Sequence, residues 1–272
     1  MKIAVILPAA GSGRRFGQRP KIEQDLAGRP VFLRAVELFV NHPGVEQVLI
    51  AVNPKTCDQF KFKWGDKLAF HGVKLVEGGT KDRWETVLKT LNQIPPAATH
   101  VAVHDAARPL ASSKLIQAVF EAAARYHAVI PGLPINGTLK RVEADPHAAG
   151  QADRLDDILG KAAKTAAAQR VVETINRRDL VEVQTPQIFQ CDLLKRAYAQ
   201  IAEGKVNTNM ITDDASLVEA LGEPVHVVEG EMTNLKITRP DDLTLAEAVY
   251  LATHRNEAQL LARKRLFGDE DD

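Results

Sequence analysis

What most constrains this chain is its opening. An apolar run from Lys2 to Leu7 passes directly into Pro8-Ala9-Ala10-Gly11-Ser12-Gly13-Arg14-Arg15-Phe16-Gly17, with Pro20-Lys21 behind it. A short strand feeding a small-residue turn places a basic, glycine-bearing loop at the strand's carboxyl end. Small residues let backbone N–H groups approach an anion closely, and Arg14, Arg15, Arg19 and Lys21 add positive charge. That chemistry suits a polyphosphate. On this segment alone a second reading stands beside it, an arginine-rich surface loop whose glycines serve only for turning. The commoner glycine-rich cradles do not fit. No Gly-Lys-Ser/Thr closes the turn, and Gly17 falls one residue later than the third glycine of a dinucleotide fingerprint. No acid follows the first unit at the ribose position that a nicotinamide dinucleotide requires.

The strand rhythm continues downstream. Apolar, β-branched runs recur at Lys2 to Leu7, Val45 to Val52, Val73 to Val76, Val101 to His104 and Ala128 to Ile130, each separated by enough chain for a helix. Helical spacing of apolar residues predicts helices over Val31 to Val40 and Lys114 to Arg125, with a shorter one over Trp84 to Leu91. The expectation is an α/β fold: a three-layer Rossmann-like sheet, mostly parallel, with the strand ends aligned along one edge. The site is expected on that edge.

From Asn136 to Gln184 the rhythm breaks. Two β-like pieces, Thr138 to Val142 and Val171 to Ile175, flank a polar, alanine-rich stretch around Ala144 to Gln169, of which Ala162 to Gln169 is helix-prone. This reads as an excursion of about 136–184 from a single domain spanning 1–250, not as a second domain. Strand-like runs return at Val225 to Glu229 and Asn234 to Ile237. A helix is predicted over Asp241 to Leu261, started by Pro240-Asp241-Asp242, and 251–272 forms its end and a solvated acidic tail.

Thirty-five basic and thirty-five acidic side chains cancel, so no global field recruits nucleic acid or a membrane surface, and any anion site must be local. Cys57 and Cys191 lack the spacing of a zinc site or a disulfide framework. No run is long enough to span a bilayer, and the first strand begins at Lys2 without a leader, so a cytoplasmic location is expected.

A second signal is His104-Asp105-Ala106-Ala107-Arg108-Pro109, directly after a strand. Magnesium favours one or two carboxylates plus phosphate oxygens, so Asp105 beside a polyphosphate loop is a candidate metal ligand. An Asp that merely caps the next turn is the other reading.

Together these motifs resemble the 2-C-methyl-D-erythritol 4-phosphate cytidylyltransferase family. The resemblance continues in order through Gly78-Gly79 with Arg83 and Thr86-Val87, then Thr174 and Arg177, Thr185-Pro186-Gln187, Thr212-Asp213-Asp214-Ala215-Ser216 and Asn234-Leu235-Lys236-Ile237-Thr238-Arg239-Pro240, covering roughly 2–250. It implies that a polyol phosphate attacks the α-phosphorus of CTP and releases pyrophosphate, with Mg²⁺ as cofactor. Arg15, Lys21, Lys236 and Arg177 are implied as catalytic cations. Ala9, Ala10, Gly11, Ser12, Gly13, Arg14, Gly78, Gly79 and Thr86 are implied to bind the nucleotide. Asp105, Arg108, Thr138 and Thr212 are implied on the substrate side, with Asp105 also at the metal. Arg177 is implied to lie on an arm that reaches a second copy, making a homodimer with arm exchange. Taken from propensity alone, Gly78-Gly79 is a turn and Arg177 a solvated arginine; Thr185-Pro186-Gln187 reads as a strand entry.

Four positions depart from the family pattern: Ile22 replaces a glutamine after Lys21, the loop of Gly79 to Thr86 is one residue longer, Gly137 replaces an aspartate and Thr233 replaces an acid. A ribitol-5-phosphate cytidylyltransferase, or a transferase for another polyol phosphate, is the nearest rival, and a non-catalytic CTP-binding sensor is the rival from another class.

Overall fold

The first strand sits where its sequence requires. Ile3 to Leu7 are buried on both faces, and a strand covered on both sides reads as a continuous apolar run. In the computed structural model, which describes residues 1–11, 16, 20–145 and 168–254, this strand is β1 (Ile3–Ala9). It pairs in parallel with β4 (Val45–Val52) on one side and β6 (His100–Val103) on the other. β5 (Lys74–Glu77) adds in parallel to β4. Between β1 and β4 a small hairpin, β2 (Asp25–Leu26) with β3 (Arg29–Pro30), leads into α1 (Val31–Glu37). β7 (Ala128–Pro134) completes the predicted set of strands.

Side chains of β1 divide by the two-residue period of a strand. Ile3, Val5 and Leu7 join one core, with Phe32 and Val36 of α1, Phe60 and Leu68 of α2 (Cys57–Phe70), and Leu115 and Val119 of α4 (Ser113–Ala123). Ala4 and Ile6 join the other, with Val87 and Leu91 of α3 (Arg83–Leu91), Leu194 and Tyr198 of α5 (Cys191–Ala202), and Leu217 of α6 (Asp214–Glu219). Helices therefore cover both faces of the sheet, giving the expected three layers.

The sheet is mostly but not wholly parallel. β11 (Gln187–Gln190) runs antiparallel to both β6 and β7, and β12 (His226–Glu229) pairs in parallel with β7. Thr185-Pro186-Gln187 is indeed a strand entry, since β11 begins at Gln187. The expected strand over Asn234 to Ile237 is not one. Its backbone is taken up by the loop after β6, with Ile237 N–H donating to the Ala107 carbonyl at 2.9 Å and Arg108 donating to the Asn234 carbonyl at 2.6 Å. The last helix, α7 (Pro240–Thr253), starts one residue before the predicted Asp241, and its predicted continuation to Leu261 and the acidic tail lie outside the described residues beyond 254. α2 is not legible in the sequence as a helix, because only Phe60 and Leu68 of its residues are buried and its period is weak.

By internal contacts the chain divides into Met1–Leu133 with Val183–Asp272, and Pro134–Glu182. In the second unit β8 (Leu139–Ala144) and β9 (Gln169–Ile175) form an antiparallel ribbon with Lys140 opposite Thr174. Arg141 pairs with Glu173 at 3.1 Å, and Arg170 pairs with Glu143. These are the two β-like pieces expected there. β10 (Val181–Val183) carries the chain out of the ribbon, and most of the alanine-rich insert, 146–167, is outside the described residues.

Candidate active site

Parallel register brings three loops to one edge. Ala9 of β1 stands beside Val52 of β4, and Ile6 stands beside Val103 of β6, so the loops after β1, β5 and β6 open on the same side. Between them lies a cavity lined by Pro8 to Gly11, Lys21, Ile22, Gly79 to Arg83, Thr86, Asp105 to Ala107 and Lys236. Of the residues expected in the site, the fold thus assembles Ala9, Ala10, Gly11, Lys21, Gly79, Thr86, Asp105 and Lys236. Ser12, Gly13, Arg14 and Arg15 lie outside the described residues.

The glycine pair at the start of the longer loop is required by space. A Cβ on Gly78 would stand 2.8 Å from Thr86 Cγ2 and 3.0 Å from Ala10 Cβ, and one on Gly79 would stand 2.5 Å from Glu85 Cβ. Gly78 N–H donates to the Val52 carbonyl at 2.7 Å, which continues the β4 edge into the loop. Gly79 N–H donates to Thr86 Oγ1 at 3.0 Å, so the buried threonine hydroxyl accepts from the backbone and keeps its own proton to donate. Glu85 Oε2 accepts from Thr80 N–H at 3.2 Å and Lys81 N–H at 3.1 Å, closing the extra residue into a tight turn. Those backbone donors, Lys81 first, hold the Glu85 carboxyl below its ordinary range.

Asp105 is the electrostatic centre. Its Oδ2 lies 2.7 Å from Lys236 Nζ and 3.7 Å from Arg108 Nε, and its Oδ1 accepts from Arg83 Nε at 3.2 Å. Burial favours the neutral acid, but Arg83 and then Lys236 outweigh it, so the carboxyl is held far below its usual range. Asp105 N–H donates to Thr185 Oγ1 at 3.1 Å, Thr185 Oγ1 contacts His104 Nδ1 at 3.1 Å, and His104 Nε2 contacts the Arg108 carbonyl at 2.9 Å. Burial pushes the His104 imidazole down to about 4, against the opposing pull of the Arg108 carbonyl. A neutral ring then donates from Nε2 and accepts at Nδ1, locking the loop after β6. Lys21 donates to the Ile237 carbonyl at 3.3 Å, beside Lys236.

The order of these motifs can be set against known proteins. The family model described as IspD, 2-C-methyl-D-erythritol 4-phosphate cytidylyltransferase, matches residues 3–159 and 155–252. The chain belongs to the 2-C-methyl-D-erythritol 4-phosphate cytidylyltransferase family. It is 37% identical over 258 residues to the enzyme so named from Acidobacterium capsulatum, covering 92% of this chain and 98% of that one. It is 34% identical over 245 residues to the bifunctional enzyme IspD/IspF of Desulfotalea psychrophila, covering 90% of this chain but only 55% of that longer one. Among solved structures, the cytidylyltransferase of Thermus thermophilus superposes with a TM-score of 0.68 at 32% identity, over 92% of this chain and 98% of that one.

Within this cytidylyltransferase fold the remaining expected residues take different places. Gly78 is buried and does not line the cavity. Arg108 is buried and turned toward the Asn234 carbonyl. Thr212 lines a neighbouring cavity with Thr208, Asn209 and Asp213, and the two cavities share Asp82 and Arg83. In the second unit, Thr138 is exposed and Arg177 donates to the Asn136 carbonyl. Arg83, Asp214 and Tyr198 were not singled out from sequence as site residues, though Arg83 and Asp214 stand inside quoted motifs. Among the described residues no group of three or more His, Cys, Asp or Glu could hold a metal by itself. Asp82 and Asp105 are the described carboxylates on the cavity. An ionised Asp105 facing the cavity fits the mode in which magnesium takes one carboxylate and completes its shell with phosphate oxygens and water.

Proposed function

We propose that this chain transfers the cytidylyl group of CTP to 2-C-methyl-D-erythritol 4-phosphate, giving 4-diphosphocytidyl-2-C-methyl-D-erythritol and pyrophosphate for isoprenoid synthesis. The observation that carries this reading is the convergence of Lys21, Lys236 and Asp105 on one cavity with Ala10 and Gly11 after β1 and the Gly79–Thr86 corner. A phosphate oxygen of the substrate attacks the α-phosphorus of CTP, the new P–O bond forms, and the bond to the bridging oxygen breaks so that its electrons leave with pyrophosphate. The protein supplies no covalent intermediate. Its work is alignment and charge stabilisation.

Backbone N–H groups of Ala10 and Gly11 cradle the triphosphate. Lys21 and Lys236 face the reacting phosphate and balance the charge that builds there, joined by Arg15. The Thr86 hydroxyl proton, left free by the Gly79 donation, reads an acceptor on the cytosine edge. Asp105 accepts from a sugar hydroxyl and is the residue that would hold a magnesium ion. When bound, that ion draws negative charge from the phosphate oxygens. Thr212 faces the polyol phosphate and Arg177 is supplied by a second copy, while Arg108, buried against the Asn234 carbonyl, acts on the site through Asp105. The ribbon supports such a homodimer, since Val142, Val171 and Val172 are exposed on a two-stranded hairpin that is marginal by itself. Two free cysteines suit a reducing, cytoplasmic setting, and no described helix is long and apolar enough to cross a membrane.

The test is pyrophosphate release by the purified protein with Mg²⁺, CTP and 2-C-methyl-D-erythritol 4-phosphate, compared with ribitol 5-phosphate and with UTP. Release confined to the first pair supports the reading. Release with ribitol 5-phosphate moves the substrate, and CTP binding without release under any pair leaves a sensor.

A further inference from the structure

From the cavity a chain of polar groups runs from Asp105 through Arg83 to the buried Asp214 and Tyr198, in the core that also packs α3. Arg83, the first residue of α3, is held between two carboxylates: its Nε donates to Asp105 Oδ1 at 3.2 Å and its Nη1 to Asp214 Oδ2 at 2.7 Å. The other oxygen of Asp214 accepts from the Tyr198 hydroxyl at 2.5 Å. Asp214 is fully buried, Tyr198 is 1% exposed, and neither lines the cavity. The segment is also pinned to the sheet. Gln187 of β11 donates to Asp213 Oδ2 at 2.7 Å and accepts from Ala215 N–H at 3.2 Å.

We propose that Asp214 and Tyr198 are positioning residues that act through Arg83 to keep one oxygen of Asp105 occupied, so that Lys236 is held by the other oxygen alone and remains exchangeable. The inference rests on the reading of Lys236 as a phosphate-facing cation. Leaving a buried carboxylate without its cation is strongly unfavourable, so Asp214 keeps Arg83 in place. Of the three cations on Asp105, the Lys236 side chain is the most exposed, at 38% against 28% for Arg83 and 8% for Arg108. It is therefore the one that a nucleotide phosphate draws away. If Arg83 slackens, both Asp105 oxygens turn to Lys236 and hold it back from the phosphate. Loss of the relay then lowers turnover more than CTP binding, because the missing interaction belongs to the reacting state.

The experiment measures steady-state pyrophosphate release and melting temperature for Tyr198→Phe, Asp214→Asn, Lys236→Ala and the double variant Tyr198→Phe/Lys236→Ala. Asp214→Asn risks unfolding, so Tyr198→Phe, which keeps the ring, carries the result. The expected outcome is a fall in kcat of about tenfold for Tyr198→Phe with KM for CTP changed by less than about threefold, and a further loss of under about twofold when Lys236 is already alanine. Wild-type kcat in Tyr198→Phe, a change in KM alone, or losses that multiply fully with Lys236→Ala would each overturn the relay. Absence of turnover in the wild-type protein overturns the functional reading and the relay together, whereas wild-type turnover with independent losses overturns the relay only.

Discussion

The ammonium of Lys236 stands 2.7 Å from Oδ2 of Asp105, in a cavity that Lys21, Lys81, Arg83 and Lys236 line against only Asp82 and Asp105 among the described carboxylates. A chain with no net charge has thus concentrated cations at one sheet edge. Excess positive charge in a partly enclosed cleft is suited to a polyanion, and the field there is stronger than the same charges would give in open solvent.

Removing either lysine is expected to leave the fold intact and to depress turnover. Lys21→Ala and Lys236→Ala are each expected to reduce kcat by about a hundredfold or more, corresponding to roughly 3 kcal/mol of charge stabilisation. Steady-state pyrophosphate release and circular dichroism on the same samples check this. Near-normal turnover in both variants rules out the assigned roles.

The corner at Gly79 has no room for a side chain. Gly79→Ala forces a Cβ to within 2.5 Å of Glu85 Cβ and 3.0 Å of Thr86 N, so the Thr86 hydroxyl must move. CTP binding by calorimetry is expected to weaken by at least about tenfold, consistent with loss of a buried specifying hydrogen bond. Thr86→Ser should keep most of the affinity and Thr86→Val should lose it. Equal affinities in Ser and Val variants would show that the hydroxyl reads nothing.

Asn234 is wholly buried, and its amide donates to the Thr185 carbonyl at 2.9 Å while its own backbone carbonyl accepts from Arg108 at 2.6 Å. Asn234→Ala leaves the Thr185 carbonyl without that donor and frees the segment that carries Lys236. A stability loss of about 1–3 kcal/mol is expected in urea unfolding, together with reduced kcat. A melt indistinguishable from wild type counts against the clasp.

His104 gives the protein an acid-sensitive lock. Its folded pKa is lowered to about 4 from an ordinary 6.5, so between those values the unfolded chain binds a proton that the folded chain refuses. Stability therefore falls as pH drops from 6.5 toward 4, by on the order of 3 kcal/mol from this residue, and is unaffected by it above 6.5. His104→Gln should flatten that part of the curve of stability against pH. Denaturant unfolding at several pH values between 4 and 7 reads the slope, and an unchanged slope in the variant removes His104 as its source.

The sequence by itself determined the strand rhythm and the loops at its edge. Val45 to Val52 is a strand with the boundaries its β-branched run predicts, and Lys21 and Asp105 stand in segments of distinctive local chemistry, whereas Lys236 is legible only through the resemblance to the family. Periodicity and turn chemistry act over a few residues, so they survive reading along a line. Tertiary structure decided the rest. Asn234 to Ile237 has the alternation of a strand, yet its hydrogen bonds go to Ala107 and Arg108, because the loop after β6 and not a neighbouring strand supplies its partners. α2 hides its helical nature behind a mostly polar surface and two buried anchors. The pairing of Arg83 with Asp214, and of Asp214 with Tyr198, joins residues far apart in the chain through a fully buried carboxylate. A buried charge must find a partner in space, and sequence spacing carries no record of which one it finds.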